Sequence, residues 1–330
     1  MYTNQDIAIV ILNWNGKALL EQFLPSVLNY SQRATVYVAD NASTDGSIDF
    51  VRANFPEVKI IQNAENYGYA KGYNEALKDL SEDLLCLLNS DIEVTENWLN
   101  PIAEAFNSEG DVGIIQPKIL DYNDKSKFEY AGAAGGFIDK YGYPYCRGRI
   151  FNHIEEDKGQ YNDITDVFWA SGACFFIKNS VFKNLDGFDE SYFAHMEEVD
   201  LCWRAFNSNY KTKYVGKSIV YHVGGATLSN SNPQKTYLNF RNSLVTLVKN
   251  TDTNVFSKTL TRMVLDGIAG IRFLLLFKPI HLWAILKAHY SFYIQLNSTL
   301  KKRKVLPKRS NYFKIKSIVW SYFIKKNRTF

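Results

Sequence analysis

A chain of 330 residues with 46% hydrophobic and 15% aromatic content can bury a substantial core, as one large domain with an appendage or as two modest domains. The net charge of +4 conceals a division, because residues 267–330 carry fourteen Lys or Arg and no Asp or Glu. That leaves residues 1–266 with 24 basic and 34 acidic side chains, a balance of −10, so the acidic body is excluded as a nucleic-acid surface and the basic tail asks for an anionic partner.

In chain order, residues 7–12 form a continuous apolar, β-branched run that predicts a buried parallel strand. Residues 17–30 place Leu19, Leu20, Phe23, Leu24, Val27 and Leu28 at helical spacing. Residues 35–39 read as a second strand, and the polar loop 40–47 caps a helix starting near Ser47. Strands at 58–62 and 84–88 flank a helix over 69–80. Strand alternating with helix at this pace predicts an open, doubly wound α/β sheet, whose ligands sit beyond the carboxyl ends of the strands. The polar clusters fall at those ends: Asn13 and Asn15, then Asp40 to Asp45, then Asn89, Ser90 and Asp91. Residues 121–165, rich in Gly, Tyr and Asp, predict loops and short strands, with short helices over 181–185 and 201–207.

Past Pro233 the pattern turns to longer helices. Residues 263–296 are apolar but interrupted by Asp266, Arg272, Lys278, Pro279 and Lys287, too often for a span of about 20 residues across a bilayer. Interfacial amphipathic helices fit better, followed by Lys301, Lys302, Arg303, Lys304 and an aromatic-basic tail. Cys86, Cys146, Cys174 and Cys202 show no metal-ligand cadence and read as buried free thiols of a reducing compartment. The polar opening and the short apolar run after it show no secretory signal, so the expected location is cytoplasmic.

Four constellations carry candidate chemistry. An apolar strand ending in Asn89, Ser90 and Asp91 holds a carboxylate at the sheet edge, suited to Mg²⁺ or Mn²⁺ or, more plainly, to a turn or helix cap; Glu93 follows at the same parity. Glu197 and Glu198 follow an aromatic segment, as a general base with raised pKa or as an acidic first helical turn. Asp200 and Arg204, four apart, predict a helix-surface ion pair. His222, between β-branched residues and a Gly-Gly pair, suits a metal ligand or a hydrogen-bonded strand-end histidine. Asn66, Gly68, Lys71 and Gly72 ahead of a helix offer a diphosphate site at its N-terminus, matching neither the GxGxxG nor the Walker pattern.

Taken together, "VILNWNG", "VADNASTDGS", "NYGYAKGYNEAL", "LLNSDIEV", "ASGACFFIKNSVF", "GFDESYFAHMEEVDLCWR" and "VYHVGGAT" occur in an order that resembles family 2 glycosyltransferases, in the bacterial rhamnosyltransferase and galactofuranosyltransferase-like branch, over residues 5–245. The resemblance implies a GT-A fold: a nucleotide-sugar-binding half over 1–120, an acceptor half over 121–245, and a helical extension over 246–330. It implies a divalent metal, Mg²⁺ or Mn²⁺, and an inverting displacement on a nucleotide-sugar donor. Asp40 would contact the nucleobase, with Asn13, Asn15 and Asp45 nearby and Asn66, Lys71 and Ser90 lining the donor side. Asp91 and His222 would hold the metal, and Glu198 would be the base with Glu197 beside it. Two positions depart from the family pattern: Asn89 is neutral, and Glu198 is one methylene longer than the usual Asp.

The expected donor is a UDP- or dTDP-sugar, rhamnose first, because a carboxylate at Asp40 suits the N3–H of uracil or thymine. The expected acceptor is a glycan on polyprenyl diphosphate, approached by peripheral attachment of the basic tail to the inner, anionic face of the plasma membrane. A homodimer contact through the same helices, a catalytically degenerate family 2 scaffold, and a nucleic-acid-binding protein using the tail are the competing readings.

Overall fold

Apolar runs drive the first half of the chain into strands, buried on both faces except at the edge strand of residues 59–62. β1 (Ile7–Asn13), β2 (Thr35–Asp40), β3 (Lys59–Gln62) and β4 (Leu84–Asn89) lie in the spatial order β3-β2-β1-β4, all parallel. The computed structural model describes residues 1–224 and 232–330. Helices α1 (Lys17–Tyr30), α2 (Ser47–Asn54) and α3 (Gly68–Leu77) connect the four strands. Side chains of β1 alternate between faces. Ile7, Ile9 and Ile11 pack with Leu20, Leu24 and Val27 of α1, whereas Ala8 and Val10 join Ala70, Tyr73 and Leu77 of α3.

Beyond β4 the sheet becomes mixed. It continues through β5 (Ile92–Val94), α4 (Asn100–Ser108) and β6 (Val112–Asp121), then a small separate sheet of β7 (Gly136–Ile138), β8 (Pro144–Cys146), β9 (Arg149–Ile150) and β10 (His153–Ile154). This small sheet is the ordered form of the segment expected as loops and short strands. β11 (Ile164–Val167), β12 (Cys174–Lys178), α5 (Asn179–Asn184), α6 (Glu197–Asn207) and β13 (Lys211–His222) follow. β12 inserts antiparallel between β4 and β6, and β13 runs parallel to β6, with β11 and β5 pairing antiparallel to its two ends. All four cysteines are buried and unpaired.

The C-terminal region consists of α7 (Pro233–Asn250), α8 (Val255–Leu275), α9 (Pro279–Val305) and α10 (Ile318–Phe323). Among the described residues, no helix is long and apolar enough to cross a membrane. α7 runs unbroken through position 245, and its last turn reaches into the body. Lys249 bridges Asp189 at 2.7 Å and Asp200 at 2.8 Å, while Asn250 donates to Asp200 at 2.7 Å. Asp200 and Arg204 therefore do not form a helix-surface ion pair. They meet at 2.8 Å with Asp200 wholly buried, because α7 covers this face of α6. Burial opposes the charge on both Asp189 and Asp200, yet the surrounding cations hold each carboxyl below its ordinary range.

The tail is equally committed to the body. Lys302 of α9 reaches Asp189 at 2.6 Å, Tyr312 donates to the Lys140 carbonyl at 2.7 Å, and the Ile318 N–H donates to Asp139 at 2.9 Å. Removing one member of a buried charge network leaves its partners desolvated and unpaired. Lys249→Met is expected to cost about 3 kcal/mol in urea unfolding, since Asp189 and Asp200 lose their shared cation.

Candidate active site

The loops after β1, β2 and β3 are stapled to one another by short polar side chains. The Ser43 hydroxyl accepts the Asn15 N–H at 2.8 Å and the Asn13 Nδ2–H at 3.1 Å, and donates to Asp40. Asp40 also accepts from Asn13 Nδ2 at 2.9 Å and from the Ser43 N–H at 2.8 Å, so this buried carboxylate is the hub of the loop. Asp45 accepts the N–H of Lys17 at 2.9 Å and that of Ser47 at 3.0 Å, capping α1 and α2 together. Asn41, which sequence reasoning missed, donates to the Gly68 carbonyl at 2.9 Å and accepts from Asn63 at 2.7 Å. A Cβ on Gly72 would stand 2.8 Å from the Asn41 amide, so this buried ladder needs glycine there.

The start of α3 is already occupied. The Gly68 N–H donates to Asn66 Oδ1 at 3.0 Å and the Tyr69 N–H to the Phe193 carbonyl at 3.0 Å. Lys71 lies 3.8 Å over the Tyr67 ring and is the nearby cation. Asn66 thus shapes this turn, and two of the N–H groups expected to face a diphosphate are satisfied internally.

Past β4, Ser90 is half-buried and Asp91 is buried. Pairing of β5 with β13 sets Ile92 opposite His222, bringing His222 Nε2 to 3.2 Å from Asp91 Oδ1. His222 Nδ1 stands 3.4 Å from Glu129 Oε1. Burial resists protonation of His222, but Asp91 and Glu129 overcome it and push the imidazole up to about 10. Glu129 comes from the Gly- and Tyr-rich segment, where no periodicity marked it. Glu93 does not share this direction, pairing instead with Lys125. Residues 225–227, the end of the "VYHVGGAT" stretch, lie outside the described residues. Among the described residues no three His, Cys, Asp or Glu side chains converge as a ready metal cage.

Glu197 and Glu198 open α6 after a segment in which Phe193, His195 and Met196 take φ of 64°, 67° and 73°. Left-handed backbone at side-chain-bearing residues costs of order 1 kcal/mol each and persists where the surroundings enforce it. Each glutamate keeps one buried carboxylate oxygen without a hydrogen bond. Burial, helped by Glu198, raises Glu197 well above the carboxylate range. Burial lifts Glu198 to about 7, against the pull of backbone N–H groups at the helix start. Tyr69 feels the charge of both glutamates, and the Cys146 thiol feels both Glu198 and Glu129, the partner of His222.

The sequence profile described as Glycosyl transferase family 2 matches residues 8–186, more than half of the chain. The chain belongs to glycosyltransferase family 2. It is similar to the N-acetylglucosaminyl-diphospho-decaprenol L-rhamnosyltransferase of Mycobacterium tuberculosis, with 26% identity over 233 residues covering 66% of this chain and 75% of the relative. Among solved structures, GalNAc-T7 with UDP, GalNAc and Mn²⁺ superposes with a TM-score of 0.58 at 17% identity, covering 74% of this chain and 48% of that one. A mannosyltransferase from Pyrobaculum calidifontis in complex with GDP-Man and Mn²⁺ gives 0.52 at 13% identity, covering 91% and 87%. The glycosyltransferase has the expected GT-A architecture, with its helical region at the C-terminus.

The raised carboxyl of this glycosyltransferase has a thermodynamic consequence. The folded-state pKa of Glu198, about 7 against an ordinary 4.5, means that folding favours the protonated form, so the wild type loses stability as pH rises through that window. Glu198→Gln lacks this loss. Its stability advantage over wild type is expected to be near zero at pH 4 and to reach about 2–3 kcal/mol at pH 8, measured by thermal melts across pH.

Proposed function

We propose that this glycosyltransferase moves a sugar from a UDP- or dTDP-sugar, rhamnose first, onto a lipid-linked glycan, with inversion and with Mg²⁺ or Mn²⁺ bound. The observation that carries this reading is the approach of His222 to Asp91 at 3.2 Å, both side chains buried. One imidazole nitrogen and one carboxylate oxygen at that spacing, both buried, suit a divalent cation that takes its remaining ligands from oxygen. A cation held by Asp91 and His222 would supply positive charge where the nucleoside diphosphate leaves. Asp40, Asn13 and Ser43 hold the base-binding loop in shape, and Lys71 adds charge on the phosphate side. Glu198, with its pKa near working pH, accepts the proton of the acceptor hydroxyl as that oxygen bonds to the anomeric carbon. Attack opposite the departing diphosphate inverts the centre and needs no covalent enzyme intermediate.

The rhamnosyltransferase relative acts, by its name, on a decaprenol-linked acceptor, and α8 carries the complementary feature. Its buried stripe is polar, Lys258, Arg262, Asp266 and Gly270, while Phe256, Leu260, Val264, Ile268, Ile271 and Leu275 are exposed. A helix so inverted belongs against an apolar medium. Trp283, Tyr290 and Tyr293 of α9 are exposed as well, as are the cations Arg272, Lys278 and Lys287 on the same pair of helices and the turn between them. We assign this face to an anionic lipid surface. A second copy would set two basic faces, neither with an acid after Asp266, against each other.

Two outcomes test these assignments. A thermal-shift screen of UDP-, dTDP- and GDP-sugars with Mn²⁺ should show stabilisation by one nucleotide class that needs metal and vanishes in Asp91→Ala; a shift indifferent to both would favour a degenerate scaffold. In sedimentation with phosphatidylglycerol-containing vesicles, Ile268→Asp with Ile271→Asp should lose at least about ten-fold in binding, and wild type should bind neutral vesicles far less. Equal binding by the double variant would overturn the membrane assignment.

A further inference from the structure

The segment before α6 is gripped from two sides. On one side the Phe193 carbonyl accepts the Tyr69 N–H at 3.0 Å, and Gly68 leaves room for Phe193, whose carbonyl and ring would stand 2.8 and 2.9 Å from a Cβ there. On the other side α7 presents Arg241 and Asn242. Asn242 Nδ2 donates to the carbonyls of His195 at 2.7 Å, Ala194 at 2.9 Å and Tyr192 at 3.3 Å. Its Oδ1 accepts from Arg241 Nε at 2.7 Å, and Arg241 Nη2 donates to the Tyr192 carbonyl at 3.0 Å. Asn242 is 1% exposed and gives its amide N–H groups entirely to this backbone.

These contacts fall on the segment where Phe193, His195 and Met196 hold left-handed backbone, and the Met196 carbonyl then accepts the Asp200 N–H at 2.9 Å to start α6. Backbone of this kind keeps its shape only where neighbours over-determine it. An amide is suited to the task because it donates two N–H groups toward carbonyls while accepting from Arg241. A carboxylate of the same size would face those carbonyls with like partial charge.

We propose that Asn242, oriented by Arg241, is the positioning residue of the catalytic carboxylates. It holds residues 193–196 in the conformation that sets where Glu197 and Glu198 stand at the head of α6. This rests on the reading of Glu198 as the base. Displacements of an ångström at a reacting group cost on the order of 100-fold in rate, so relaxing this segment acts on turnover and leaves the Asn13–Asp40–Ser43 loop, which has no bond to it among the described residues, in place to bind the nucleotide.

The test uses the full chain with Mn²⁺, dTDP-rhamnose and N-acetylglucosaminyl-diphospho-polyprenol, comparing wild type, Asn242→Asp, Arg241→Lys, Glu198→Gln and the Asn242→Asp/Glu198→Gln pair. Asn242→Asp should bind dTDP with Mn²⁺ within about two-fold of wild type and lose about 100-fold in kcat. The paired variant should be no slower than Glu198→Gln alone, because residues acting through one another are non-additive. Wild-type turnover in Asn242→Asp, equal losses in kcat and dTDP binding, or multiplying losses in the pair would each overturn the proposal. Should Asn242→Asp not fold, Arg241→Lys carries the same comparison with a smaller loss. An active Glu198→Gln overturns the base assignment itself, and with it the role given to Asn242.

Discussion

A parallel strand cannot turn straight back onto its neighbour, so each of β1, β2 and β3 must hand the chain to a crossover that begins at the same edge of the sheet. That constraint places Asn13 opposite Asp40 across β1 and β2, and Asn89 opposite Leu12 across β1 and β4. The ladder continues past the strand ends, with the Asn41 N–H on the Asn13 carbonyl and the Asn63 N–H on the Asp40 carbonyl, both at 2.8 Å. Short polar side chains then have fixed partners within reach, and the Ser43–Asp40–Asn13 and Asn41–Asn63 clusters follow. Asp91 inherits its place from the same edge, two residues past β4.

The second half of the chain meets that edge through antiparallel strands and the C-terminal helices. β13 brings His222 to Asp91, and α6 brings the glutamates. Within the first turn of α6 the fold creates two opposite electrostatic environments. Asp200 is buried but surrounded by Arg204, Lys249 and Asn250, so it stays ionised. Glu197 is buried and Glu198 half-buried without such partners, so their protonated forms are favoured. Unequal pairing separates a carboxylate that stays ionised from a pair whose protonated forms are favoured, and the uncompensated pair costs stability that the Asp200 network helps to offset.

The helical region serves both ends of this arrangement. Its inner side chains, Arg241, Asn242, Lys249 and Lys302, secure the segment and helix that carry the glutamates. Its outer stripe on α8 and α9 is apolar and exposed. A lipid surface in contact with that stripe would therefore be coupled to α6 through the packing of α8 on α9, α9 on α7 and α7 on α6.

Much of the GT-A core was legible in the sequence. Continuous apolar runs can only be strands covered on both faces, and helical spacing, caps and polar strand ends located α1, α2, α3 and the loops between them within a few residues. Asp91, His222, Glu197 and Glu198 stood out because charged residues interrupt apolar context there. What the sequence could not express is pairing between distant segments. Asp200 and Arg204 read as a surface pair because local spacing cannot report that α7 covers them. Glu129 carried no periodic signal, and Asn242 sat unremarked in a helix, since an amide's role depends on which carbonyls the tertiary fold sets before it. Local periodicity determined the elements and the residue types at their ends; burial and long-range contact decided which charges are paired, which are left raised, and which backbone carbonyls Asn242 meets.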